Sequence, residues 1–114
     1  QVLLNLIRNA LEAMESTPRE MARVDLYTRA DKDGVAIEVS DSGPGLTLTQ
    51  SNHVFDPFFT TKKTGMGMGL SISHSIIEAH GGNLSVSNNT SGQGCTFTVR
   101  LKSMTSSREK MVQS

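Results

Sequence analysis

Two helical stretches alternate along this chain with two pairs of strand-like segments, and that order most restricts the folds it can adopt. Residues 1–14 repeat apolar side chains, among them Ile7 and Met14, along one side of a helix. Segments 22–30 and 34–41 alternate apolar and polar residues. The DKDG sequence at their junction favours an antiparallel hairpin.

The second half of the chain repeats this pattern after a long loop. Residues 42–68 are rich in Gly, Pro, Ser and Thr, which is typical of a functional loop. A second helix is predicted from about residue 68 to residue 80, where Gly81 and Gly82 form a C-terminal stop, and two more alternating strands follow. The complete order predicts an α/β fold, a two-layer α/β sandwich rather than a doubly wound parallel sheet.

The composition excludes several classes of protein. The chain has 114 residues, and its 11 basic residues balance 11 acidic ones, so net charge favours neither nucleic acid nor an anionic membrane as a partner. No run approaches the roughly 20 apolar residues of a membrane span, and no signal peptide is visible. The single Cys95 excludes an internal disulfide and fits a reducing compartment. We therefore expect a cytoplasmic domain that makes no membrane contact, in a parent protein for which an inner-membrane anchor stays open.

The two ends of the chain differ from its middle. Gln1 opens directly into helical periodicity without a capping residue, which favours a fragment of a larger protein. Residues 103–114 are polar and aperiodic, and we expect a disordered tail there. The predicted domain is therefore residues 1–102.

Two asparagines of the first helix are candidate metal ligands. Asn5 and Asn9 are four residues apart, so their amides project from one helix face. An amide oxygen is a neutral, hard ligand that Mg²⁺ accepts alongside phosphate oxygens and water. The alternative interpretation is that both amides only cap hydrogen bonds at a sheet edge.

The second candidate feature is Asp41, which ends a predicted strand and is followed by SGPG. A carboxylate there can accept a hydrogen bond from an exocyclic amine, and Gly43 and Gly45 would let a flat ligand lie against the backbone. The alternative is a simple turn, because Asp-Ser-Gly-Pro is strong turn chemistry.

A glycine cluster precedes the second helix. Residues 65, 67 and 69 are all glycine, and the start of a helix offers N–H groups and partial positive charge to an anion such as phosphate. The spacing is neither the dinucleotide fingerprint nor a Walker loop. Lys62 and Lys63 are either solvated charges or neutralise a polyphosphate. The three histidines and Cys95 lack zinc-ligand spacing, so we expect structural roles for the histidines.

Five motifs in a fixed order resemble the N, G1, F, G2 and G3 boxes of histidine-kinase ATP-binding domains. They are NLIRNALEAM, DSGPG, FDPFFTTK, GMGMGLSIS and GCTF, and they cover roughly residues 1–101. These domains belong to the GHKL superfamily, with DNA gyrase, a heat-shock chaperone and mismatch-repair MutL. The sequences of these motifs are most similar to those of nitrogen-regulatory and oxygen-sensing sensor kinases. The resemblance implies the Bergerat fold, with a mixed, mostly antiparallel sheet and helices on one face.

The resemblance also implies a role for each matched residue. Asn9 would bind Mg²⁺ beside Asn5, and Asp41 would receive the adenine amino group with Thr96 close by through a water. Residues 46–68 would form a lid over ATP, anchored by Phe55 and Phe58. The implied nucleotide-binding set is Asn5, Asn9, Asp41, Gly43, Gly45, Phe58, Thr61, Lys62, Gly65, Gly67, Gly69, Leu70 and Thr96, with Asn9 and Lys62 acting in catalysis.

By the same resemblance, the function is that of the Mg²⁺·ATP-binding catalytic domain of a sensor histidine kinase. It would pass the γ-phosphate to a histidine on its own dimerisation domain, in a homodimeric parent, and from there to a response-regulator receiver domain. Two departures stand out: the chain lacks a phosphoacceptor His segment, and the strand that normally precedes the N box is missing. In ATP-hydrolysing relatives a glutamate stands where this chain has Asn5. The alternatives are a non-catalytic adenine-nucleotide sensor and a serine kinase of the anti-sigma type.

Overall fold

The computed structural model describes residues 2–56, 69–90 and 92–102. The two predicted helices and the four predicted strands are present in the predicted order, and two short helices are present in addition. The helices are α1 (Val2–Ala13), a short 3₁₀ helix (Arg19–Met21), α2 (Leu48–His53) and α3 (Gly69–Ala79). The strands are β1 (Val24–Asp31), β2 (Gly34–Asp41), β3 (Asn83–Asn88) and β4 (Cys95–Lys102).

The four strands form one sheet in the order β1-β2-β4-β3. The predicted hairpin of β1 and β2 is present, β3 and β4 form a second antiparallel pair, and β2 pairs with β4 in the centre of the sheet. The first hairpin turns at Asp31, whose Oδ1 accepts hydrogen bonds from the backbone N–H groups of Asp33 (2.9 Å) and Gly34 (3.0 Å). The sheet predicted as mixed and mostly antiparallel is antiparallel at every pairing of the described strands.

The core lies between one face of the sheet and the helices α1 and α3. Leu6 of α1 is completely buried, and Ile77 of α3 lies in the same apolar cluster. Val39 and Phe97 face each other across the central pair β2 and β4 and contribute to that cluster. Successive side chains of a strand point to opposite faces of the sheet. The residues that alternate with the core residues along each strand therefore form a second, polar face. The predicted two-layer sandwich with helices on one face is confirmed.

A short helix interrupts the stretch that was predicted to be a continuous loop. In α2, the Thr47 side chain accepts from the Gln50 N–H, and the Gln50 side chain accepts from the Thr47 N–H. This reciprocal pair is a capping box, which satisfies two of the N–H groups at a helix start. The Thr-x-x-Gln spacing was present in the sequence, so the prediction of loop across residues 47–53 was wrong for a recognisable reason.

The end of α3 matches its prediction. The Gly81 N–H donates to the Glu78 carbonyl (3.0 Å) and the Gly82 N–H donates to the Ile77 carbonyl (2.9 Å). This pair of bonds is the Schellman motif, which closes a helix and turns the chain away. The turn delivers the chain directly into β3, and so fixes the position of α3 against the sheet.

Candidate functional site

Asp41 is a buried carboxylate at the end of the central strand β2, only 3% exposed. The Gly43 N–H donates to its Oδ1 at 2.9 Å. The Cys95 thiol donates to its Oδ2 at 3.5 Å, a long bond from a weak donor. A carboxylate offers about four acceptor sites, so this one retains capacity for a further donor. The arrangement fits a ligand amine, as the sequence predicted, and it also contains the turn that was the alternative.

Cys95 is held as a neutral thiol by its surroundings. Burial, the charge of Asp41 and the hydrogen bond to it together raise the pKa of the thiol from its ordinary 9.0 to about 12, and burial is the largest of the three causes. The neutral form is the one that can donate to Asp41. Cys95 is therefore a donor in this site and not a nucleophile.

The raised pKa of Cys95 predicts a loss of stability in alkali. The folded state keeps the thiol proton above pH 9 whereas the unfolded chain releases it, so the free energy of unfolding should fall between about pH 9 and pH 12. The slope should reach about 1.4 kcal/mol per pH unit. Denaturant titrations of the wild type and of Cys95→Ala measure it. Subtracting the variant's profile removes the lysine and tyrosine contributions, and parallel profiles would contradict the prediction.

The loop after Asp41 packs closely against the turn between β3 and β4, and two glycines, Gly45 and Gly94, lie at the points of contact. A side-chain carbon at Gly94 would lie 1.8 Å from the Asp41 carbonyl oxygen. Gly45 has a φ of +79°, and a carbon there would lie 2.9 Å from Asn88 Oδ1. Both positions require glycine, one for close approach and one for backbone conformation. Gly45 was predicted from the sequence and Gly94 was not.

Gly43 lies where this loop meets the end of α1. A side-chain carbon at Gly43 would lie 3.1 Å from the Ala13 carbonyl oxygen and 3.2 Å from Asp41 Oδ1. Any larger residue would therefore press on both the helix end and the carboxylate. The predicted association of Gly43 with the Asp41 site is present in the structure.

Thr96 follows Cys95 on β4, and its predicted place near the adenine amino group, through a water, stays a prediction. Its hydroxyl donates to Ser40 Oγ (3.0 Å) and to Asn89 Oδ1, on the polar face of the sheet. The residue that contacts the Asp41 side chain is Cys95, one position earlier. The alternation of Cys95 and Phe97 toward the core carried this information, because neighbouring strand residues face opposite ways.

Asn5 and Asn9 extend this region along α1. Asn5 donates to the hydroxyl of Ser73 on α3 at 3.2 Å, and Ser73 is completely buried between the helices. Ala13, which adjoins Gly43, follows Asn9 by one helical turn. Asn9 thus lies about 6 Å along the helix axis from Asn5 in one direction and from Ala13 in the other. One stretch of α1 therefore connects the start of α3 to the Asp41 loop.

The remaining predicted residues divide into two groups. Gly69 and Leu70 begin α3, and a side-chain carbon at Gly69 would meet no atom of the described residues within 4 Å. Their predicted contact with phosphate stays a prediction. The other positions lie outside the described residues: Phe58, Thr61, Lys62, Gly65 and Gly67.

Phe55, predicted as a lid anchor, contacts the core. Its ring stacks on His74 of α3 with 4.8 Å between ring centroids, and its edge meets Phe97 at 6.1 Å. His53 pairs with Asp56 at 2.8 Å. These partners account for two histidines structurally, and His80 Nδ1 bonds the Ile76 carbonyl at 2.8 Å. Within the described residues, no group of three His, Cys, Asp or Glu side chains could hold a metal.

Two asparagines at the end of β3 were not predicted as site residues. Asn88 bonds the backbone of Leu46, and Asn89 bonds the backbone of Asp41. Consecutive asparagines between a strand and a glycine-rich turn were visible in the sequence. Their partners lie more than 40 residues away, so no local pattern could identify them.

A family model described as histidine kinase-, DNA gyrase B- and HSP90-like ATPase matches residues 1–105. The sensor protein FixL of Bradyrhizobium diazoefficiens is 52% identical over 101 residues, which cover 89% of this chain and 20% of that protein. The C4-dicarboxylate transport sensor protein DctS of Rhodobacter capsulatus is 50% identical, with 89% of this chain and 15% of the relative covered. This chain thus spans about a fifth or less of the length of both proteins.

Solved structures show the same fold. The nucleotide-free catalytic domain of the histidine kinase ThkA superposes with a TM-score of 0.76 at 35% identity, covering 90% of this chain and 64% of that one. The mycobacterial sensor histidine kinase MprB gives a TM-score of 0.77 at 26% identity, covering 89% and 69%. In the part of this chain that the structure describes, no helix has the length and apolar character needed to cross a bilayer.

Proposed function

The chain belongs to the family of histidine kinase-, DNA gyrase B- and HSP90-like ATPases, and on that basis we propose that it is the Mg²⁺·ATP-binding catalytic domain of a sensor histidine kinase. It delivers the γ-phosphate of ATP to a histidine on a separate dimerisation domain, and a response-regulator aspartate accepts the phosphate afterwards. Positioning and charge neutralisation provide most of the catalysis in phosphoryl transfer, so the domain needs no strong base.

The single observation that carries this proposal is the buried carboxylate of Asp41. A fold needs a reason to keep a carboxylate 3% exposed, and among the described residues its donors are a backbone N–H and a weak thiol. The amino group of adenine supplies the further donor that the carboxylate can accept. Gly43 and Gly45 let the chain after Asp41 pack closely against the end of α1 and against Asn88, which holds the backbone beside the carboxylate in place.

The amides of α1 are suited to the phosphate end of the nucleotide. Asn5 is oriented by Ser73 because its amide nitrogen donates to that hydroxyl, which leaves the amide oxygen for other partners. Asn9, one turn further toward the Asp41 loop, has the hard neutral oxygen that Mg²⁺ accepts. When bound, Mg²⁺ would neutralise phosphate charge. Leu70 and Gly69 would contribute N–H groups from the start of α3, and Lys62 would add positive charge.

The partners and the location follow from the kind of protein that the relatives are. They are named sensor proteins and sensor histidine kinases, and this chain matches only a minor part of each. We therefore propose a homodimeric parent protein whose catalytic domain works in the cytoplasm. The domain then needs no nucleic acid and no membrane contact for its own reaction.

Replacing Asn9 with alanine tests the proposed metal role. Asn9→Ala should weaken ATP binding in the presence of Mg²⁺ by about tenfold, a loss of roughly 1.4 kcal/mol. Binding of adenosine should stay unchanged, because adenosine has no phosphate to recruit the metal. Calorimetric titrations of ATP and adenosine, with Mg²⁺ and with chelator, provide the measurement.

Asn83→Ala, at an exposed position of β3, is the matched control and should bind like the wild type. An equal loss for ATP and adenosine in Asn9→Ala would assign Asn9 to packing instead of the metal. Failure of the wild type to bind any adenine nucleotide would overturn the proposed function itself.

A further inference from the structure

We propose that Asn88 and Asn89 are positioning residues for the nucleotide, because together they hold both ends of the segment 41–46, named here the adenine loop. The inference rests on the proposed function for its ligand, and on the hydrogen bonds of the structure for its mechanism. The two side chains follow each other at the end of β3, and neighbouring side chains of an extended chain point in opposite directions. One asparagine therefore reaches each end of the loop.

Asn88 holds the far end of the adenine loop through two hydrogen bonds to one residue. Its Oδ1 accepts from the Leu46 N–H at 2.9 Å, and its Nδ2 donates to the Leu46 carbonyl at 2.7 Å. The side-chain amide thus makes the same two hydrogen bonds, one accepted and one donated, that the backbone of a neighbouring strand makes. The close approach depends on Gly45, because a side-chain carbon there would lie 2.9 Å from Asn88 Oδ1.

Asn89 holds the near end of the loop. Its Nδ2 donates to the Asp41 carbonyl at 3.0 Å and to the Gln93 carbonyl at 2.8 Å. The turn between β3 and β4 is thereby tied to the residue that carries the buried carboxylate. The Thr96 hydroxyl donates to Asn89 Oδ1, which orients the amide from the other side.

These bonds add to those of Ser42, which bonds the backbone of Met21 and Arg23, in fixing the adenine loop. It contains two glycines, and each glycine loses more backbone entropy than another residue when its conformation is fixed. A ligand that binds an unfixed loop must supply that ordering free energy, which weakens its affinity. The asparagines fix the loop in advance, so the Asp41 carboxylate is already in place when adenine arrives.

The experiment compares Asn88→Ala and Asn88→Asp with Asn83→Ala. Asn83 is the matched control, because it is an exposed asparagine at the opposite end of the same strand. Hydrogen exchange of the Leu46 amide should accelerate at least tenfold in Asn88→Ala. It should stay slow in Asn88→Asp, which keeps the acceptor for that N–H. Exchange at Val39 and Phe97, in the central strands, should stay unchanged in all three variants and shows that the fold is retained.

Nucleotide titrations of the same proteins measure the functional consequence. Asn88→Ala should bind ATP and adenosine about five- to tenfold more weakly, by the same factor for both, because the loop serves the base and not the phosphates. Asn89→Ala should show a loss of at least that size. Asn83→Ala should match the wild type.

The possible outcomes separate the inference from the proposed function. Wild-type affinity in Asn88→Ala, or a loss confined to ATP, would overturn the positioning role while leaving the proposed function intact. If the wild type bound no adenine nucleotide, the proposed function would fail. In that case, hydrogen exchange of the Leu46 amide still tests whether Asn88 fixes the loop. An unchanged exchange rate in Asn88→Ala would overturn that role, and a faster rate would support it.

Discussion

Asp41→Asn is expected to weaken ATP binding by about 10- to 150-fold, equivalent to roughly 1.5 to 3 kcal/mol. The reason lies in how Gly43 would orient the new amide. The Gly43 N–H donates to Asp41 Oδ1 at 2.9 Å. In the variant, the asparagine side-chain oxygen would therefore take the position of Oδ1, and its amide nitrogen would take the position of Oδ2. A donor would then face the adenine amine, which is itself a donor, where the wild type offers an acceptor.

Calorimetric titration of ATP against both proteins measures this loss, and Asp33→Asn is the matched control. Asp33 is an exposed aspartate in the turn at the opposite end of β2. It should retain wild-type affinity. Urea unfolding of each variant shows whether the fold is kept. Undiminished affinity in a folded Asp41→Asn protein would mean that Asp41 serves only as a turn residue, the alternative interpretation of its sequence.

The elements of this fold could be predicted because their determinants are local. The periodicity of residues 1–14, the DKDG turn and the Gly81–Gly82 stop each act within a few residues of the structure they specify. Capping is also local, and the short helix α2 was missed only because the Thr47 and Gln50 pair was overlooked. Element order was then enough to indicate a two-layer sandwich.

The contacts of the site could be predicted only in part. Asp41 and its glycines form one continuous motif, and the structure places them together. The partners that arrive from β3 and β4 are set by the register of strands distant in sequence, which no local pattern contains. For that reason the contact of Cys95 with Asp41 and the bonds of Asn88 to Leu46 were not predicted.

The second large effect concerns hydrolysis of ATP by the isolated domain. In ATP-hydrolysing relatives a glutamate precedes the metal-binding asparagine by one helical turn, and here that position is Asn5. An amide cannot accept a proton at neutral pH, and the nitrogen of this one already donates to Ser73. General-base assistance commonly raises a rate by about 10²- to 10⁴-fold. The rate of ATP hydrolysis by this domain should therefore be lower, by about that factor, than that of a relative with a carboxylate at this position.

A phosphate-release assay at saturating Mg²⁺·ATP measures this turnover. Asn5→Gln, which retains an amide, is the control for the chemistry, and should hydrolyse ATP as slowly as the wild type. Brisk release of phosphate by the wild type would contradict the prediction, and would show that some other group activates water.

The central claim is that this domain delivers phosphate to a histidine carried by another domain. Incubation with γ-labelled ATP and Mg²⁺, with and without a His-bearing dimerisation domain from the parent or a close relative, tests it most directly. We expect that this chain does not label itself, and that acid-labile label appears on the added domain and disappears when its histidine is replaced. Rapid self-labelling of this chain, or ATP binding with no transfer to the added domain, would contradict it.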